Sequence, residues 1–230
     1  MLIAIAKREF FKHFKSMKSI LVLVVMLFTT YFVAKYAGAL VEFIDLSDEE
    51  KLDVHALGLV FIIIFMGQLF VMSLSHDVLN KEIYERTMRF LVTRTSRTSI
   101  VFGKFLGIWL FWFSCVLIAY LSTSFFSHRF NIILFLQSIS LLSLQITLTM
   151  LLSILISRPS LSMFLGVILG IVFPIFSLWA KTTGDHWYGL IKYLSPFTYL
   201  TKNNYQFLML FIGAGIVLLF INRLFKGREC

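Results

Sequence analysis

The chain has 230 residues, of which 59% are hydrophobic and 14% charged, and 21 Lys and Arg against 12 Asp and Glu give a formal net charge of +9. That inventory cannot furnish a water-facing surface of ordinary size, so it excludes a soluble globular domain and places the chain in a bilayer. The positive charge needs no nucleic acid to explain it, because basic residues beneath an inner leaflet meet anionic lipid headgroups.

Residues 1–18 read as an amphipathic interfacial helix. Ile3, Ala6, Phe10, Phe14 and Met17 recur at three- and four-residue steps, and Lys7, Arg8, Lys12, Lys15 and Lys18 occupy most of the remaining surface. Such a helix lies in the interface plane with Phe10, Phe14 and Met17 toward the acyl boundary and its cations at the headgroups. The simpler reading is an anchor; the sharper one is an elbow that rides against moving parts.

Six apolar stretches follow, at 20–41, 56–76, 100–126, 132–157, 161–180 and 205–222. About 20 apolar residues cross ~30 Å of hydrocarbon as a helix, and the period-two alternation of a barrel strand is absent. The first stretch is too long for a signal-peptide core and lacks a small-residue cleavage site, so it is expected to remain. With the N-terminus inside, the cytoplasmic segments hold fifteen Lys and Arg, while the outer loops hold only Lys51, Arg129, Lys181, Lys192 and Lys202. Both termini, including the tail 223–230, are therefore expected in the cytoplasm. The acidic stretch from Glu42 to His55 reads as a solvated outer loop. Cys115 lies inside the third span and Cys230 is the last residue, so neither a disulfide nor a metal site is expected.

The fourth span is the most polar. Ser138, Gln145 and Thr149 share one helical face, and Gln68 gives the second span a shorter polar patch. Such residues either line a translocation path or hydrogen-bond to a neighbouring span, which is their commoner use in membranes. Full charges within the hydrocarbon are almost absent, which argues against an ion channel or proton pump and for amphipathic or apolar cargo. Pro174 is expected to kink the fifth span. Gly166 and Gly170 are read as the one clean G-x-x-x-G face.

Between the second and third spans, residues 77–99 form the largest cytoplasmic segment. Glu82 to Arg86 and Glu85 to Arg89 are spaced i to i+4 with the acid first, the favourable order on a helix, and Ile83, Phe90 and Leu91 supply an apolar side. A helix leaving the membrane with both faces has something to dock against; a solvated loop obeying the charge rule has a similar composition. Residues 93–99 break the pattern, and Lys104 sits about a turn inside the next span.

The order Asp77, Glu82, Thr87, Leu91, Thr93, Ser96, Arg97, Ile100, Gly103 and Lys104 resembles the ABC-2 type permeases of bacterial exporters. There an acidic residue precedes a G-T-hydrophobic run, a small-residue or P-x-S-R segment, and an x-x-G-K start to the next span. Arg86 stands where that family often has Gly before Thr, and Thr95 near where it often has Pro. The resemblance extends to the N-terminal helix, the six spans, and the segment 187–204. That segment contains Tyr193-Leu-Ser-Pro196-Phe-Thr-Tyr199 and is similar to the family's short outer helices that dip back into the membrane. Trp187, Tyr188, Tyr193 and Tyr199 suit headgroup depth, and an ordinary aromatic belt explains them equally well.

The resemblance implies one all-α polytopic membrane domain in a bacterial plasma membrane, similar to the type V exporters, with six transmembrane helices, an interfacial helix and a cytoplasmic coupling helix. It implies that Asp77, Glu82, Ile83, Glu85, Arg86, Arg89, Phe90, Leu91 and Arg97 meet an ATP-binding subunit. Two copies of that subunit and a second permease, identical or homologous, would complete the assembly. The chain has no phosphate-binding loop of its own, since Phe102-Gly103-Lys104-Phe105 lacks the first glycine and the hydroxyl residue. ATP and Mg are thus expected on the partner, and the chain by itself is not expected to be an enzyme. A membrane protease is disfavoured: Lys81 to Arg86 lacks the paired glutamates, no G-x-S-G occurs, and His76 and His128 fall at opposite ends of spans. The expected function is export of an amphipathic or hydrophobic peptide or drug, with Gln68, Ser138, Gln145 and Thr149 as candidate path residues. The competing class is an immunity or sensor protein that binds an antimicrobial peptide without an ATPase.

Overall fold

The structure, a computed structural model, describes residues 1–36, 48–127, 130–182, 199–200 and 205–227, and among them there is no strand. The helices are α1 (Leu2–Lys15), α2 (Met17–Lys35), α3 (Asp48–Ser75), α4 (Asn80–Tyr84), α5 (Met88–Arg94), α6 (Arg97–Ser127), α7 (Ile132–Leu155), α8 (Pro159–Thr182) and α9 (Leu208–Gly227), the last preceded by a 3-10 turn at Tyr205–Phe207. The all-α polytopic expectation is met. Among the described residues five helical stretches are long and apolar enough to cross a membrane: Met17–Lys35, Gly58–Tyr84, Arg97–Phe125, Ile132–Leu155 and Tyr205–Gly227. The expected fifth span falls on α8, a helix of 24 residues whose described apolar stretch is Pro159–Val172. His128, Cys230, residues 42–47 of the acidic stretch and, apart from Tyr199 and Leu200, the expected outer segment 187–204 lie outside the described residues, and the rest of the acidic stretch, 48–55, is helical as the start of α3 rather than a loop.

Helix boundaries have local causes. Ser16 is extended, with φ −80° and ψ 127°, and separates α1 from α2. Asn131 caps α7: its Oδ1 accepts from the backbone N–H groups of Ile133 at 3.0 Å and Leu134 at 3.2 Å, two donors that would otherwise be orphaned. Ile156 leaves the helix in an extended conformation, and Pro159 then occupies the first position of α8, where its missing N–H costs nothing.

α7 is the central post. Within its apolar window 72% of residues are buried inside the protein, against 28% for α2 and for the last span, so α7 is the hub and those two are peripheral. It packs on α3, α6 and α9. A helix surrounded by helices need not be apolar all round, provided its polar groups are satisfied. Ser138, Ser143 and Thr149 donate to carbonyls one turn back, Leu134 O at 2.8 Å, Ile139 O at 2.7 Å and Gln145 O at 2.9 Å. Ser143 also accepts from Trp109 Nε1 on α6 at 2.8 Å.

Close helix approaches rest on glycine, and the sequence reading undercounted them. Gly166 and Gly170 set α8 against Met72 and Leu69 of α3, so that face is used within the chain. Gly103 and Gly107 form a second G-x-x-x-G face, which receives α1. A Cβ at Gly107 would lie 2.6 Å from the Ala6 carbonyl oxygen and 2.8 Å from Glu9 Cβ, and one at Gly103 2.9 Å from Ile5 Cβ. Gly107→Val is therefore expected to push α1 off α6 at a cost of about 1–3 kcal/mol, lowering the thermal midpoint in detergent and speeding tryptic cleavage at Lys7 and Arg8. Gly215→Ala, with nothing within 4 Å, is expected to leave both readouts unchanged or slightly improved.

Candidate functional site

The glycine face of α6 brings α1 close enough for a charge cluster to form around Lys104. Lys104 is only 2% exposed. Its ammonium meets Glu82 Oε1 at 2.9 Å, Glu9 Oε1 at 3.4 Å and the Val78 carbonyl at 2.8 Å. An ammonium has three N–H donors, so three acceptors from three segments complete it. Glu9, itself 2% exposed, also reaches Lys12 with its other oxygen at 3.5 Å. Burial acts to raise the Glu9 pKa, but Lys104, then Lys12 and His13, act in the opposite direction and hold it below the usual glutamate value. His13 stacks on Phe111 with ring centroids 5.3 Å apart. Burial pushes its pKa down to about 4 against the raising effect of Glu9, so the ring is neutral at neutral pH.

This reorients α1 relative to the sequence reading. Ala6, Glu9 and His13 form the buried face. Of the expected apolar stripe, Ile3, Phe14 and Met17 are exposed from the protein, as lipid contact requires, and Phe10 packs partly on the core. Glu9 and His13 were missed. Glu9 did carry a signal: it is the only acidic residue before Glu42, on an otherwise basic helix.

The segment after α3 is bolted to the ends of two other helices. Ser153 Oγ on α7 accepts from Leu79 N at 3.0 Å and Asn80 N at 3.1 Å, serving the first N–H groups of α4 in place of a local cap. Asn80 Nδ2 donates to Ile156 O at 3.2 Å, and Ser162 Oγ at the start of α8 donates to His76 O at 3.2 Å. Asp77 lies 3.9 Å from Lys81.

Where the sequence suggests one salt-paired helix, the structure has two short ones, and neither Glu82 with Arg86 nor Glu85 with Arg89 forms an ion pair. The i to i+4 geometry is interrupted because Arg86 is left-handed, with φ 57°, and Glu82 turns inward to Lys104. Glycine adopts that conformation without the Cβ penalty, which gives a physical reason for glycine at this position in similar chains. Thr95, with φ −151°, lies far from the −65° that proline imposes. Arg97 Nη1 donates to the carbonyls of Phe225 at 3.0 Å and Lys226 at 2.9 Å, among the last carbonyls of α9 that lack helical partners.

The expected apolar side of the segment divides. Ile83 and Leu91 are half-buried against the core, whereas Tyr84 is 65% and Phe90 74% exposed, in company with exposed Glu85, Arg86 and Arg89. Of the candidate path residues, three meet: Gln68 Nε2 donates to Thr149 Oγ1 at 3.2 Å, and Gln145 Nε2 donates to Ile63 O at 3.1 Å. Ser138, two turns away, is buried and bonded to its own helix. The polar face thus holds α3 to α7, the commoner of the two uses weighed from sequence.

The family model described as ABC-2 family transporter protein matches residues 3–210. A comparison with curated proteins found no match.

Lys104→Met would leave two carboxylates facing each other without their cation, and is expected to cost about 3–5 kcal/mol, seen as a lower thermal midpoint in detergent. Adding Glu9→Gln and Glu82→Gln is expected to recover most of that loss. Stability is also expected to fall as pH drops from 6.5 toward 4, because the unfolded chain protonates His13 before the folded one does; the shift corresponds to roughly 3 kcal/mol. Glu9, with its folded value depressed, adds a further loss below about pH 4.5. His13→Phe, which keeps a ring on Phe111, is expected to flatten the upper part of that profile.

Proposed function

The chain belongs to the ABC-2 family of transporter membrane proteins, and from that membership we propose that it is the six-span permease subunit of an ATP-driven exporter in a bacterial plasma membrane, with both termini cytoplasmic. A pair of such chains, identical or homologous, works with two ATP-binding subunits that carry ATP and Mg. Cargo is an amphipathic or hydrophobic molecule such as a peptide or drug, moving outward.

The observation that carries this reading is the division of labour within residues 76–97. Their inner side is tied to five other helices: by Glu82 to Lys104 of α6 and, through it, Glu9 of α1, by Asn80 to α7, by the His76 carbonyl to Ser162 of α8, and by Arg97 to the end of α9. Their outer side presents Tyr84 and Phe90, two large side chains that a merely solvated loop has no reason to display. Aromatic and arginine side chains are what docking surfaces are built from, and Arg86 and Arg89 lie beside them. A push on Tyr84 and Phe90 reaches the bundle through side-chain contacts rather than through a slack loop. Glu82 belongs to the inner connection, while the outer residues make the contact with the ATP-binding subunit.

The test is co-purification with an ABC ATP-binding subunit encoded beside this chain, followed by ATP hydrolysis. Tyr84→Ala with Phe90→Ala is expected to weaken the complex at least about tenfold and reduce coupled hydrolysis, with an unchanged thermal midpoint for the permease alone. Failure of the wild-type chain to bind any such subunit would sink the permease reading and favour a stand-alone immunity or sensor protein.

A further inference from the structure

α7 ends at Leu155, and where its last turn meets the last two turns of α9 there is a groove of about 450 Å³. Ile154 and Leu155 line it from α7, and Phe220, Arg223, Leu224 and Gly227 from α9. Those four recur at i, i+3, i+4 and i+7, so they form one stripe of α9, beside the buried stripe of Leu218, Ile221 and Phe225. Leu155 is 55% and Phe220 51% exposed, and a Cβ at Gly227 would meet nothing within 4 Å, so the groove is open to its surroundings. Its depth follows from the sequence. Residues 205–222 carry no charge and Arg223 is the first cation after them, which sets the apolar wall among acyl chains and the guanidinium at the headgroups. In the orientation proposed above, this is the inner leaflet.

The charge around the groove has one sign. α7, α8 and α9 contain no Asp or Glu, whereas Arg158, Arg223 and Lys226 are all exposed at this end. Glu229 lies outside the described residues. The carbonyls that end α9 make a weak negative pole that opposes an anion, but Arg97 Nη1 already donates to two of them, Phe225 O and Lys226 O. An apolar wall that ends in a guanidinium at headgroup depth matches the two halves of a phospholipid. The guanidinium can give two parallel N–H donors to phosphate oxygens, where an ammonium gives only a point charge.

We propose that this groove binds one anionic phospholipid, its phosphodiester held by Arg223 and an acyl chain laid along Leu155 and Phe220. The basic side of α1 attracts anionic lipid diffusely; the groove adds a fixed wall and so holds a single molecule in place. Binding here does not depend on the permease reading.

The experiment is photolabelling of the full chain, one per nanodisc, in phosphatidylcholine bilayers doped with one of two probes. These are phosphatidylglycerol and phosphatidylcholine carrying the same diazirine-bearing acyl chain. Peptides containing Leu155 or Phe220 are expected to take up the phosphatidylglycerol probe about fivefold more than the phosphatidylcholine probe, the worth of one basic residue at an anionic headgroup. Arg223→Gln is expected to abolish that preference while leaving the preference at α1 peptides in the same sample unchanged, and Arg223→Lys to keep part of it. Equal labelling by the two probes at α7 and α9, or a preference that survives Arg223→Gln, would overturn the proposal. So would loss of the labelling when two chains share a nanodisc or when the ATP-binding subunit is bound, since a protein surface would then occupy the groove.

Discussion

A lysine ammonium enclosed in a helical bundle needs three acceptors supplied at the right distance, and Lys104 obtains them from three segments far apart in sequence. Glu9 comes from α1, Glu82 from α4, and the Val78 carbonyl from the turn before α4. Pairing charges in this way adds little net stability over an apolar core, because desolvation offsets most of the attraction. Breaking it is expensive, however, and that asymmetry makes it a device for specifying arrangement. It fixes the rotation of α1, draws α4 inward, and makes sense of Gly103 and Gly107, whose missing side chains bring α1 within reach.

The rest of the cytoplasmic end follows the same logic with neutral groups. α4 starts on Ser153 rather than on a cap of its own, and Arg97 meets carbonyls in the last turn of α9. In each case an orphaned backbone group at a helix end is satisfied by a side chain from another helix. Helix ends that complete one another cannot shift independently without exposing unmet polar groups in a setting with little water. This couples the segment bearing Tyr84 and Phe90 to α1, α6, α7 and α9, and it is the physical basis of the proposed transmission.

The apolar runs were legible because hydrocarbon thickness dictates their length, so α6 and α7 lie within three residues of the expected 100–126 and 132–157, whereas α2 ends at Lys35 and α9 runs on to Gly227. The polar face of α7 was legible too, because Gln145 and Thr149 repeat at helical spacing. What the sequence hid is tertiary. Glu82 has a favourable local partner at Arg86 and a better distant one at Lys104, and spacing reports only the first. The left-handed conformation at Arg86 has no signature in a residue type that rarely adopts it. On α1, only Ile3, Phe14 and Met17 of the expected apolar stripe are exposed, Ala6 and Phe10 turn toward the protein, and a buried Glu9 among lysines is explained only once Lys104 is found opposite. Even the second glycine face was written in the sequence as Gly103 and Gly107; its neighbours gave no hint that its partner was the N-terminal helix.

The central claim is that Lys104 makes α1 and the segment 76–97 one mechanical unit. The direct measurement is the distance distribution between spin labels at Lys7 and Arg89, both exposed, in the complex with the ATP-binding subunit, with and without ATP. The account predicts a narrow distribution that is the same in both states and broadens in Lys104→Met. A Lys7–Arg89 distance that changes with ATP, or one indifferent to the loss of Lys104, would contradict it.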